Sequence, residues 1–316
     1  MVAALSVVVG LGSGLVGAQG TGSGGNGFRV SPVRSEYIID KGKSETMSVT
    51  VENPTDAQVV AKAVVNDFVA SDQENGEPRL ILDENAPRPK NSFKDLVGNL
   101  ADLTLAPRQS KDLKITIRVP LDANSGGYYG AVRFVPVTST GAGNVGLTAS
   151  VGTIVLVKVP GDLTEKLDLV QLSAAQKGKT KGFITGGDVN VITRLKNTGN
   201  IHVQPFGKVQ VKNMFGKVIK EYELNSTDPR ANVLPDSIRR FDDGIGKVGF
   251  KWLGRNTITA NIGYSQGSGD LITASSRFWY LPLWFLIVLL LLVIAIVGGL
   301  FWVISRRRGS GSRRRR

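Results

Sequence analysis

The 316-residue chain has no cysteine, one histidine and three methionines. Without cysteine there is no disulfide staple, no thiolate nucleophile and no cysteine-ligated metal. Any domain must therefore be stable through its own apolar core. The one histidine, His202, follows the turn Asn197-Thr198-Gly199-Asn200 and reads as a loop or strand-edge side chain rather than a general base. Carboxylates adjoin at Asp83-Glu84 and Asp242-Asp243, but neighbours in a strand point to opposite faces, which opposes their joint use in glycoside cleavage. Asp72, Glu74 and Glu77 surround a glycine-containing turn without the spacing of a calcium loop, and read as a solvated hairpin. The expectation is a non-enzyme with no catalytic residue, no metal site and no cofactor.

Charge is also missing from one long stretch. Phe278–Ser305 holds no Asp, Glu, Lys or Arg, and its core, Leu281–Ile304, is 24 residues long. At about 1.5 Å rise per residue a helix there reaches roughly 36 Å, enough for a ~30 Å hydrocarbon layer with some tilt. Residues 278–305 are therefore expected to form a transmembrane helix. Trp279 and Trp284 at one end and Trp302 at the other supply aromatic belts that anchor it in membrane lipid. Arg306, Arg307 and Arg308 follow, then Arg313–Arg316, against Arg277 alone on the other flank. That asymmetry places 306–316 in the cytoplasm and the rest outside, as a single-pass protein of the cell membrane.

The formal net charge is +13, and the seven arginines of this tail leave +6 for residues 1–305. A mildly basic ectodomain favours anionic partners such as wall polymers. The concentrated basic charge lies beside the span, so nucleic-acid binding is not expected.

At the other end, Val2–Val16 is short and apolar, and Val16-Gly17-Ala18 suits cleavage before Gln19. Residues 1–18 read as a signal peptide and 19–27 as a flexible leader. No Lys or Arg precedes the apolar run, so the true start is expected upstream.

From Phe28 the pattern is that of strands. Met47, Val49 and Val51 alternate with polar residues until Asn53-Pro54-Thr55-Asp56, and Leu113, Ile115, Ile117 and Val119 alternate until Pro120. Asn75-Gly76 predicts a tight hairpin turn. Ser92-Phe93-Lys94-Asp95, followed by Leu96, Val97 and Leu100, predicts one short helix opened by a capping box. Val189, Val191, Thr193 and Leu195, ending at Asn197-Thr198-Gly199-Asn200, echo the segment Met47–Asp56. Two rounds of the same plan predict an all-β ectodomain: two tandem immunoglobulin-like β-sandwiches, residues 28–160 and 161–276, joined near Pro160-Gly161, ahead of the C-terminal transmembrane α-helix. Convergent patterning is the alternative source of the echo. In Gly127–Val137, Tyr128, Val132 and Phe134 share one face, while Tyr129 and Arg133 share the other. With the first face inward, Tyr129 and Arg133 become a candidate ligand-binding pair for stacking on sugar or peptide. Cross-strand pairing is the structural alternative.

Phe28-Arg29-Val30-Ser31-Pro32-Val33, the strand into Val51-Glu52-Asn53-Pro54, Gly127-Tyr128-Tyr129-Gly130-Ala131-Val132 and Val151–Pro160 occur in an order completed by a second β domain, one span and a basic tail. That order resembles the WxL-interacting proteins, bacterial cell-surface proteins. The resemblance implies a first domain that binds cell-wall peptidoglycan and a second that binds surface proteins, including WxL-type ones. The opening motif is shared with pilus-chaperone-like sandwiches, which implies the alternative of an assembly factor taking a partner strand at a sheet edge.

Overall fold

Alternating apolar residues need a facing layer, and the chain supplies two for each round of the pattern. A computed structural model describes residues 27–137, 150–264 and 271–309. The first sandwich is built from β1 (Arg29–Ser31), β2 (Arg34–Ile38), β3 (Ser44–Glu52), β4 (Val59–Ala70), β5 (Pro78–Leu80), β6 (Leu103–Leu105), β7 (Ser110–Arg118), β8 (Gly126–Val137) and β9 (Val151–Val159). One sheet runs β1-β3-β7; the other runs β2-β9-β8-β4-β5, with β6 beside β4. Met47 lies opposite Ile115 and Val49 opposite Leu113. This layer packs on Tyr128, Val132, Phe134, Val155 and Val157. Between β1 and β2 the chain leaves the first sheet for the second, where β2 pairs parallel to β9.

The expected helix after Ser92 is a 3₁₀ turn, Phe93–Leu96, and Ser92 does not cap it. A buried carboxylate from β4 has taken over the capping role. Asp67 accepts the Ser92 hydroxyl at 2.7 Å and the backbone N–H groups of Phe93 at 2.6 Å and Lys94 at 3.2 Å. Val97 is already extended and bridges Ile117, so the helix cannot continue. The fully buried Phe93 lies against Gly130 of β8, where a Cβ would stand 2.0 Å from a ring carbon. Only glycine fits there.

The second sandwich comprises β10 (Leu167–Gln176), β11 (Lys179–Thr180), β12 (Phe183–Ile184), β13 (Asp188–Asn197), β14 (Phe206–Lys212), β15 (Val218–Leu224), β16 (Ile238–Lys247), β17 (Gly254–Gly263) and β18 (Leu271–Tyr280). Its sheets run β11-β10-β13-β16 and β12-β18-β17-β14-β15. The plan repeats that of the first: an early short strand, β12, lies parallel to the last, β18, as β2 does to β9. The repeat extends to a buried asparagine at each corner. Asn53 donates to the Ala57 and Ala106 carbonyls and accepts from the Thr55 N–H. Asn197 donates to the Ile201 and Val233 carbonyls and accepts from the Gly199 N–H.

Asp243 of β16 is half-buried beside Tyr222 of β15. Burial, with the neighbouring Asp242 charge, pushes its carboxyl up to about 6. A carboxyl raised in the folded state stabilises that state below its ordinary value, and the stabilisation is lost as pH rises through about 6. Asp243→Asn is therefore expected to flatten the stability profile between pH 4 and 6. At pH 7.5 it should raise stability by about 1 kcal/mol, the value discounted for solvent screening. Urea melts at the two pH values check this; an unchanged slope sinks it.

The predicted span begins later than its composition implied. Phe278, Trp279 and Tyr280 are the last residues of β18, and Phe278 and Tyr280 are buried in the second core with Trp252. The helix α1 runs Leu283–Gly309. The strand register with β17 holds to Tyr280, and Pro282, which cannot extend the ladder, precedes the first turn. Trp279 is thus a strand residue, whereas Trp284 and Trp302 lie in α1, with the Arg306 guanidinium 4.9 Å from the centroid of the Trp302 ring. Arg306–Arg308 continue the same helix. Within Leu283–Arg306 an 18-residue window reaches a mean hydropathy of 3.2 and is unburied by the rest of the chain, so one described helix is long and apolar enough to cross a membrane. Residues 1–26, where the signal peptide and nearly all of the leader are expected, and Arg313–Arg316 lie outside the described residues.

Candidate partner-docking cleft at the domain junction

Two contact groups fix how the sandwiches meet. The first is the turn between β4 and β5. The loop is longer than the two-residue turn expected at Asn75-Gly76: the Ser71 N–H reaches the Glu77 carbonyl, and positive φ falls on Glu74 and Gly76. The Glu74 carboxylate accepts both a 2.7 Å hydrogen bond from Arg194 Nε and a second, shorter one from Nη2, while its carbonyl accepts the Arg240 N–H at 2.8 Å. The Arg194 hydrogen bonds hold the Glu74 carboxyl below its usual range. Arg239 covers Gly76 so closely that a Cβ would stand 1.9 Å from its Nη1. The turn is a docked connector between domains, not a solvated hairpin.

The second group surrounds His202, which sits in a loop as its turn context predicts but is buried there. Its backbone N–H donates to the Tyr129 hydroxyl at 2.8 Å, Nδ1 lies 3.2 Å from that hydroxyl, and Nε2 lies 2.5 Å from Glu36 Oε1. One neutral tautomer satisfies every contact: Nε2–H donates to Glu36, and Nδ1 accepts the Tyr129 O–H. Burial holds His202 below the ordinary imidazole value, in keeping with that form. The His202 hydrogen bond, helped by Lys158 and Arg34, holds Glu36 at about 2, and burial raises the Tyr129 hydroxyl. Tyr129 and Glu36 anchor the imidazole from two sides. They leave it no substrate-facing nitrogen, so the group is a structural latch.

Beside the latch opens a cleft of about 650 Å³, lined among others by Glu36, Ile38, Lys158, His202, Phe206 and Arg230. One wall is β2, the terminal strand of its sheet. The Val33 carbonyl accepts from Ile154 and the Ile39 N–H donates to Lys158, so the backbone groups of residues 33, 35, 37 and 39 face β9. Those of Arg34, Glu36 and Ile38 face away from the sheet. Ile38 is 71% exposed. Arg34 reaches Glu36 at 3.1 Å and the Arg230 carbonyl at 3.4 Å, and Lys158 lies 3.5 Å from Glu36.

Tyr129 and Arg133 do lie on the face opposite Tyr128, Val132 and Phe134, but the structure gives each a protein partner. Tyr129 belongs to the latch and stands 5.9 Å from the Phe68 ring. Arg133 donates to Asn66 at 2.9 Å and to Ser150 at 3.1 Å. The spacing carries no sign of Arg34, Glu36 or Arg194, and marks Glu74 only as part of a solvated turn. Their contacts reach up to 196 residues along the chain, beyond any local pattern. Among the described residues no group of three or more His, Asp and Glu is placed to hold a metal.

No family model matches the chain, and no curated protein does. Among solved structures, the class 5 fimbriae chaperone CfaA is 12% identical, matching 80% of this chain and all of its own with a TM-score of 0.39. The E. coli chaperone DraB is 14% identical over 79% of this chain and 96% of its own, with a TM-score of 0.35. A PapD-like domain of human CEP192 is 9% identical, with a TM-score of 0.29, over 42% of this chain and 84% of its own. At these identities the likeness concerns the sandwich plan alone.

Proposed function

We propose that this is a membrane-anchored cell-surface docking protein that takes an extended segment of another surface protein onto the outer edge of β2, beside the junction cleft. The observation that supports this reading best is the free edge itself. A strand that ends its sheet with N–H and C=O groups facing outward is a template for one more strand. Here it borders an apolar and charged cleft able to read the added side chains. The latch and the Glu74 connector favour the same role, because a rigid junction presents edge and cleft in one fixed geometry and lowers the ordering cost of binding. Anchoring by α1 concentrates the ectodomain at the membrane, where a second, low-affinity contact gains from effective concentration. The arginine-rich C-terminal side favours an outward-facing ectodomain.

A photo-crosslinking amino acid at Ile38 in intact cells tests the proposal. Crosslinks concentrated on one extended segment of a surface protein are expected, and a synthetic peptide of that segment should then compete. Ile38→Pro removes an outward N–H and keeps every bond to β9, so peptide affinity should fall at least tenfold with little change in unfolding. Equal affinity rules out the edge. Retention of the chain by purified sacculi, unaffected by Ile38→Pro, would instead point to peptidoglycan or another anionic wall polymer as the main partner.

A further inference from the structure

The second sandwich carries its largest exposed apolar side chains at one end. Phe215 is 84% and Phe250 80% exposed, and Met214, Phe183 and Trp279 are exposed beside them. Their common location follows from the strand register. Phe183 pairs with Trp279 and Gly254 with Tyr280, at the end of β18. Phe250 begins the 3₁₀ turn that leads into β17 at Gly254. Met214, in the turn between β14 and β15, places its sulfur 2.6 Å from where a Cβ on Gly254 would stand, and Asn213 reaches the Lys251 carbonyl at 3.4 Å. Side chains of this size gathered on one exposed patch mark a contact surface.

The helix α1 leaves from the same end. The Leu281 N–H donates to Ile184 and the Trp279 N–H to Gly182, so the exit is bonded to the sandwich. Only Leu281 and Pro282 separate β18 from Leu283. Two residues reach about 7 Å, and the gap they cross is at most one residue longer, roughly 10 Å. If α1 spans the bilayer, this end of the sandwich cannot stand clear of the headgroup layer, which is the level that Trp residues such as Trp284 favour.

The charge agrees. The segments that build this end, residues 181–188, 212–217 and 247–255, carry Lys181, Lys212, Lys217, Lys247, Lys251 and Arg255 against the single acid Asp188. Basic groups around apolar tips are the composition of a surface that sits on anionic lipid.

We propose that this end of the second sandwich is a lipid-contact surface, with Phe215 and Phe250 seated among the headgroups of an anionic phospholipid leaflet. The ectodomain would then be held upright on the membrane rather than swinging from its anchor. The inference rests on reading α1 as a span, and the experiment separates the two. The absence of native cysteine permits single labels on the full chain at Phe215→Cys, Phe250→Cys, Leu290→Cys within α1, and Gln58→Cys, at the far end of β4 from the junction. The chain is reconstituted in phosphatidylcholine vesicles with and without phosphatidylglycerol, and environment-sensitive fluorophores are quenched by nitroxide lipids. Headgroup nitroxides should quench the labels at 215 and 250 at least twofold more than the label at 58, and phosphatidylglycerol should widen the gap. If the labels at 215 and 250 match that at 58 while mid-chain nitroxides quench the one at 290, the lipid contact is wrong and the span stands. If the label at 290 is not quenched, the span is wrong and the contact falls with it.

Discussion

Asp67→Ala is expected to destabilise the first sandwich by about 3 kcal/mol, because it strands buried donors rather than deleting a surface contact. Asp67 and Ser92 are both buried, and the carboxylate accepts the Ser92 hydroxyl and the Phe93 and Lys94 N–H groups. Each donor left unpaired away from water costs about 1–3 kcal/mol, and Lys94, being partly exposed, contributes least. The loss also loosens Phe93, the fully buried ring packed against Gly130. Thermal unfolding should show a midpoint lower by roughly 10 °C for a domain of this size. Asp67→Asn keeps one acceptor and the side-chain volume, so it should fall between wild type and alanine. A loss below about 1 kcal/mol for Asp67→Ala would mean that the 3₁₀ turn holds its place through Phe93 alone.

Glu74→Ala should release the second sandwich from the first. The hydrogen bonds from Arg194 are charge-assisted, fork-shaped and partly shielded, with side-chain exposures of 25% for Glu74 and 28% for Arg194. Such a pair is worth more than an open surface ion pair, about 2 kcal/mol here. Arg194→Ala should act through the same contact, so a double-mutant cycle is expected to return a coupling of at least 1 kcal/mol. The sharper readout is cooperativity: the wild type should melt in one transition and Glu74→Ala in two. Hydrogen exchange should quicken at the Gly127 N–H, which bonds the Asn200 carbonyl across the junction. Single-transition melting with unchanged exchange would show that the His202 latch holds the domains without the connector.

The junction also shows why the local pattern reached some features and not others. Met47, Val49 and Val51, like Leu113, Ile115 and Ile117, are buried as their alternation predicts, since a strand's two faces are a property of neighbouring residues. The corner asparagines Asn53 and Asn197 were legible as turns for the same reason. The end of β18 is not legible in composition, because Phe278 and Tyr280 are aromatic and uncharged like Trp284 and Phe285 in α1. Hydropathy does not distinguish a sandwich core from a bilayer. Ser92-x-x-Asp95 has the spacing of a capping box, but the carboxylate that takes that role, Asp67, comes from another strand.

The sequence by itself determined the all-β character of the two sandwiches, their twofold repeat and the presence of one helix able to span a membrane. Each rests on periodicity or composition over a few to a few dozen residues. Tertiary structure alone decided that Glu74 is a connector, that His202 is a latch, that β2 ends its sheet beside a cleft, and that Phe215 and Phe250 share the end from which α1 departs. Contacts of that kind depend on where two sandwiches and a helix come to rest. Their partners are chosen by packing across more than 70 residues of chain, a range over which side-chain spacing carries no signal.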